Sequence, residues 1–121
     1  MLNVNKPKGI TIFLDIDGSM LLHNYDPDRI PETPLELRII SLAEFIKSQT
    51  GACSVIITTS RSESHAKLAA LSLQKYGIYP NAILHSLPSG PRFLLNDSKS
   101  DLPTAFAICL PRDVDDRIMF S

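Results

Sequence analysis

Apolar residues along the chain come in short unbroken runs, and segments of helical period lie between them. Residues 9–16 read Gly-Ile-Thr-Ile-Phe-Leu-Asp-Ile, a β-branched and aromatic run suited to a strand buried on both faces. The run stops at Asp17-Gly18, where glycine permits a turn that other residues resist. From Ser19 to Pro34 the chain is polar and punctuated by Pro27, Pro31 and Pro34, which predicts a loop with at most a short hairpin. Thr33 as cap, Pro34 in the first helical position and Glu36 in the third mark a helix start. Leu35, Ile39, Leu42, Ala43 and Ile46 then repeat at helical spacing as far as Gly51. A second strand is predicted over 53–59 and a helix over 63–76, capped by Ser62 and closed by Gly77. Shorter apolar runs predict a third strand at 82–85, a fourth at 93–95 and a fifth at 105–110. Strands alternating with helices argue for a parallel sheet in an α/β layered fold. The stretches 86–91 and 97–104 are too short for full crossover helices.

Composition narrows the classes without choosing among them. The chain has 121 residues, 44% hydrophobic and 21% charged, which fits one domain spanning 1–121. With 12 basic and 13 acidic residues the formal net charge is −1, so no bulk field draws it to nucleic acid or to an anionic membrane. No run approaches the roughly 18 apolar residues of a membrane span, and the first residues lack a signal-peptide core. Cys53 and Cys109 lie far apart inside apolar runs, as buried thiols in a reducing compartment would. A cytoplasmic protein is expected. His23, His65 and His85 are scattered without ligand spacing and read as surface or packing residues.

Ligands of parallel α/β sheets bind beyond the carboxyl ends of the strands, so what each strand ends in matters most. The first ends in Asp15-Ile16-Asp17-Gly18, the second in Thr58-Thr59-Ser60-Arg61 and the fourth in Asn96-Asp97-Ser98-Lys99-Ser100-Asp101. A strand period of two leans Asp15 and Asp17 to one side. Carboxylates held so close repel unless a cation sits between them or one is protonated, and a hard ion such as Mg²⁺ relieves that repulsion. Taken alone, the pair also fits solvated acids capping a strand. Thr59, Ser60 and Arg61 offer donors to a phosphoryl oxygen, although the same residues also suit a plain helix entry. Asp97 and Asp101 face one way if a helical turn opens there, with Lys99 between them as a mobile cation. A surface turn is the alternative for that cluster.

Together, and in this order, the motifs resemble the haloacid dehalogenase-like phosphatase superfamily over about residues 10–110. Asp15-Ile16-Asp17-Gly18-Ser19 matches its first motif, and Val55-Ile56-Ile57-Thr58-Thr59-Ser60-Arg61 its second. Leu94-Leu95-Asn96-Asp97-Ser98-Lys99-Ser100-Asp101 matches its fourth. The stretches Gly90 to Lys99 and Ile108 to Asp113 look like small members associated with capsule or surface-polysaccharide gene sets. The family's lysine before the fourth strand has no counterpart, since residues 78–95 hold none. Lys99, Arg92 or Arg61 would have to serve instead, and Lys99 is preferred because it shares a strand-end cluster.

The resemblance implies a three-layer Rossmann-like parallel sheet. It also implies a Mg²⁺-dependent phosphomonoesterase with Asp15 as nucleophile and Asp17 as acid and then base. Asp15, the Asp17 carbonyl, Asp97 and Asp101 would hold the metal, while Thr59, Ser60, Lys99 and Arg61 would bind phosphate. Neither window where the family inserts a cap has room for one. The site is therefore expected to be open, for a phosphorylated small molecule such as a sugar phosphate or for roofing by a second subunit of a homo-oligomer. Two rivals stay open. A phospho-receiver signalling domain would end its first strand in an acidic pair and a middle strand in the acceptor aspartate, unlike Thr58-Thr59-Ser60 and His85-Ser86 here. A catalytically idle phosphosugar-binding module is kept in view by the missing lysine.

Overall fold

The computed structural model describes residues 9–23, 32–99 and 102–120. The elements in chain order are β1 (Ile10–Leu14), α1 (Glu36–Ser48), β2 (Cys53–Thr58), α2 (Glu63–Gln74) and β3 (Ala82–Leu84). The strands form one parallel sheet in the order β1-β2-β3. Phe13 pairs with Ile56 and Ile56 with Ala82 across it, while Leu14 pairs with Ile57 and Ile57 with Ile83. Each crossover carries a helix, as parallel neighbours require. The chain is thus a small α/β protein.

One sheet face is packed and the other is partly bare. Leu14, Val55 and Ile57 are buried on the packed face. They join Ile39 and Leu42 of α1, and Ala69, Ala70 and Leu73 of α2, in a single apolar core. Phe13 and Leu84 stand on the opposite face, about half exposed (51% and 47%). A third layer would have to cover that face. Only three residues long, β3 is secured at both ends. Asn81 N–H donates to the Val55 carbonyl at 2.7 Å and its side chain accepts from Val55 N–H at 2.8 Å. At the far end, Thr59 N–H donates to the Leu84 carbonyl at 3.0 Å.

Several expectations need correction. The segments 93–95 and 105–110 form no strand and are largely exposed. Runs so short have no intrinsic stability without a paired edge, and none of the described residues pairs with them. Cys109 is therefore exposed rather than buried, while Cys53 is half-buried and burial pushes its thiol up. The first helix starts at Glu36, two residues later than the Thr33-Pro34 signal implied. The Thr33 carbonyl accepts from Leu22 N–H, and Leu35 N–H donates to the Met20 carbonyl. That backbone ladder to the segment after β1 competes with the helix and wins. The same ladder is the base of the expected hairpin, with Leu21 and Pro34 in an antiparallel bridge; residues 24–31 lie outside the described residues. Among the described residues no helix is long and apolar enough to cross a membrane.

Candidate active site

The loop leaving β1 is organised by its apolar residues. Ile16, Met20 and Leu21 are buried in the core. The Ile16 carbonyl accepts from Ser19, Met20 and Leu21 N–H at 3.1, 2.9 and 3.1 Å. Gly18 sits at φ +84°, and a Cβ there would lie 3.1 Å from Arg112 Cγ, so the turn requires glycine. With Ile16 anchored inward, Asp15 and Asp17 are left on the polar side of the strand end. Ser19 Oγ donates to Asp15 Oδ2 at 2.7 Å.

The end of β2 reaches this loop through Arg61. Its Nη2 donates to Asp17 Oδ1 at 2.7 Å, and its Nε lies 3.0 and 3.2 Å from the two Asp17 oxygens. This is the forked geometry that makes guanidinium–carboxylate pairs strong. Nη1 lies 2.5 Å from Glu32 Oε1, a buried oxygen that makes no aligned hydrogen bond. It also donates to the His65 carbonyl at 3.2 Å. Burial would lower the Arg61 pKa, but the hydrogen bonds and charge of Asp17 and the close Glu32 carboxylate outweigh it and hold the value above the ordinary one. Buried Thr59 accepts from Arg61 N–H through Oγ1 at 3.1 Å. Its own hydroxyl proton stays available as a donor. Ser60, next to it, is exposed.

The structure links Asp17, Arg61 and Thr59 by hydrogen bonds at the carboxyl ends of adjacent parallel strands, with Asp15 and Ser60 next to them along the chain. Asp97 and Lys99 are not drawn in. Both are exposed, and Asp97's carbonyl accepts from the Thr104 hydroxyl. The Lys99 carbonyl accepts from Leu102 N–H at 3.1 Å. Asp101 lies outside the described residues. Among the described residues no three His, Cys, Asp or Glu side chains gather as a metal ion would need. The Asp15 carboxylate and the Asp17 carbonyl are oxygen donors of the kind Mg²⁺ takes, but the Asp17 carboxylate is tied to Arg61 and the described residues supply no third acid.

Sequence reasoning missed Glu32 and Arg38. Nothing in the pattern singles out Glu32. Arg38 was detectable, because it falls three after Leu35 and four before Leu42, on the stripe that faces the core. A charged residue there has to find partners in the interior. No family model, curated protein or solved structure matches the chain.

Proposed function

We propose that the protein is a phosphomonoesterase that works through an aspartyl-phosphate on Asp15, acting in the cytoplasm on a sugar phosphate or similar small phosphate ester. The observation that carries this reading is the Arg61–Asp17 pair. It joins a cation from the end of β2 to Asp17, two residues past Asp15 at the end of β1, while the Arg61 N–H bonds Thr59 Oγ1. Asp15 attacks phosphorus, and the ester P–O bond breaks as Asp17 gives its proton to the leaving alcohol. Asp17 then takes a proton from water, which attacks phosphorus, releases inorganic phosphate and frees Asp15. Thr59 and Arg61 hold the non-bridging oxygens, and charge neutralisation of this kind supplies most of the rate gain in phosphoryl transfer.

Arg61 replaces Lys99 in this reading as the substitute for the missing lysine, because it already lies against Asp17. Both oxygens of Asp17 engage the guanidinium, so the incoming phosphate must take over part of that pairing before Asp17 donates its proton. Mg²⁺, when bound, would neutralise the phosphoryl group from the Asp15 carboxylate and the Asp17 carbonyl, with Asp97 as a third ligand and Asp101 in support. In a three-layer core, residues 93–95 and 105–110 would extend the sheet from the free edge of β1. A strand-end site open to a bulky substrate would also admit a second subunit.

Hydrolysis of p-nitrophenyl phosphate tests the reading. Turnover that requires Mg²⁺, disappears in Asp15→Asn and drops by about 10²–10⁴ in Asp17→Asn supports it. Stable phosphorylation by acetyl phosphate without turnover would replace it with a receiver domain. Phosphate-ester binding with neither result would replace it with a binding module.

A further inference from the structure

The loop bearing Asp15 and Asp17 is held from its far side by a residue with no part in the chemistry above. Arg38, on α1, is fully buried. Nη1 donates to the Gly18 and Ser19 carbonyls at 3.0 and 3.3 Å, and Nη2 to the Pro111 carbonyl at 2.6 Å. Nε donates to Asp116 Oδ1 at 3.1 Å. All of these acceptors lie outside α1, on two other stretches of chain. Burying a guanidinium carries a desolvation cost that a leucine at this core-facing position would not incur. What arginine adds is a fixed spacing between α1, the loop after β1 and residues 111–116.

That third stretch is itself immobilised along α1. Leu37 N–H, a first-turn donor with no partner inside the helix, donates to Asp115 Oδ1 at 2.8 Å. Ile118 N–H donates to Ser41 Oγ at 2.9 Å, and Phe120 stacks on Phe45 with ring centroids 4.0 Å apart. At its other end the stretch returns to the loop. Asp113 N–H donates to the Gly18 carbonyl at 2.9 Å, and Asp113 Oδ1 accepts from His23 N–H at 2.7 Å.

We infer that Arg38 is a positioning residue, which with residues 111–116 clamps the Gly18-Ser19 peptides and so fixes where Asp15 and Asp17 stand. The inference rests on the phosphomonoesterase reading for its catalytic consequence, but its mechanical part stands alone. Gly18 follows Asp17 directly, and Ser19 hydrogen-bonds Asp15, so a shift of these two peptides moves both carboxylates.

Asp116→Ala and Arg38→Lys test it. Asp116 has a half-exposed side chain (56%), so its loss opens no cavity, although it takes the carboxylate partner from buried Arg38. Lysine keeps the charge of Arg38 and removes the fork. Two readouts are combined: amide hydrogen exchange at Gly18, Met20 and Leu21, and kcat and KM for p-nitrophenyl phosphate with Mg²⁺. Exchange at these amides should quicken by at least about tenfold in both variants while α2 amides stay unchanged. In parallel, kcat should fall by about 10- to 100-fold with KM nearly constant, since small misplacements of reacting groups cost that much. Unchanged loop exchange overturns the clamp, and faster exchange with full kcat overturns its positioning role. A wild-type protein without hydrolysis overturns the phosphomonoesterase reading instead, and with it the catalytic half of this inference, and loop exchange then decides the clamp alone. If Arg38→Lys does not fold, Asp116→Ala gives the decision.

Discussion

At the scale of single residues, the candidate site turns on how Arg61 is shared. Its guanidinium faces Asp17 on one side and Glu32 on the other, and the Glu32 side chain is only 7% exposed. Removing the cation strands a carboxylate that water can barely reach. Breaking a buried pair from one side costs about 3–5 kcal/mol, whereas an exposed pair is worth about 1 kcal/mol at most. Arg61→Met is therefore expected to lose stability on the larger scale in urea denaturation. Adding Glu32→Gln should recover part of the loss, because the neutral amide needs no counter-charge. A single-variant loss of the smaller size would mean that the pairing does not persist in solution. Pattern alone made Arg61 one candidate of three. What separates it from Lys99 and Arg92 is a turn geometry that no spacing rule encodes, since its side chain has to fold back over the end of β1 to reach Asp17.

At the scale of elements, the sequence was readable where burial and local period agree. β1, β2, both helices and β3 lie within a few residues of where the apolar runs place them, because each has a partner on the packed face. The strand-end acids were readable for the same reason, since an apolar run ending in Asp15-Ile16-Asp17-Gly18 announces its own turn. The runs at 93–95 and 105–110 carry equally apolar residues, yet nothing local fixes a strand of three to six residues without a neighbour. The start of α1 failed differently: Thr33-Pro34 is a sound entry signal, but the ladder to Met20 and Leu22 claims those residues. One contact binds the helices to each other. Tyr76, just past α2, donates from Oη to Glu36 Oε1 in the first turn of α1 at 2.8 Å. Burial, then this carboxylate, pushes its phenol from 10.0 up to about 12. A group whose folded value lies above its unfolded one holds its proton more tightly when folded, so its contribution is intact below pH 10 and is lost as pH rises through about 12. Urea midpoints should fall across that window, and more gently in Tyr76→Phe. Equal slopes in the two proteins would show that the phenol does not titrate with folding.

At the scale of the whole molecule, the open question is what lies against the outer edge of β1. The strand reads Ile-Thr-Ile-Phe-Leu, with no charge and no proline, and no described strand pairs with its outer edge. Natural sheets seldom leave such an edge bare, because its unpaired amides and carbonyls invite another strand. The chain carries a matching segment: Phe93 and Leu95 are 89% and 92% exposed and lead directly into Asn96 and Asp97. Laid parallel to β1, that segment would end at the same sheet edge as Asp15 and deliver the third acid that the described site lacks. Were Asp97 a ligand of Mg²⁺, metal binding and strand addition would be one equilibrium. A ligand present at about a hundred times its Kd stabilises the state it binds by about 2.7 kcal/mol. Hydrogen exchange of the Leu94, Leu95 and Asn96 amides should consequently slow when Mg²⁺ and inorganic phosphate are added. In Asp97→Asn it should stay fast, although the apolar residues that would form the strand are untouched. Protection that appears without Mg²⁺ and rises with protein concentration would point to a second copy of the chain on that edge. Exchange that stays fast in wild type at saturating Mg²⁺ would remove Asp97 from the metal site and leave β1 as the true border of the sheet.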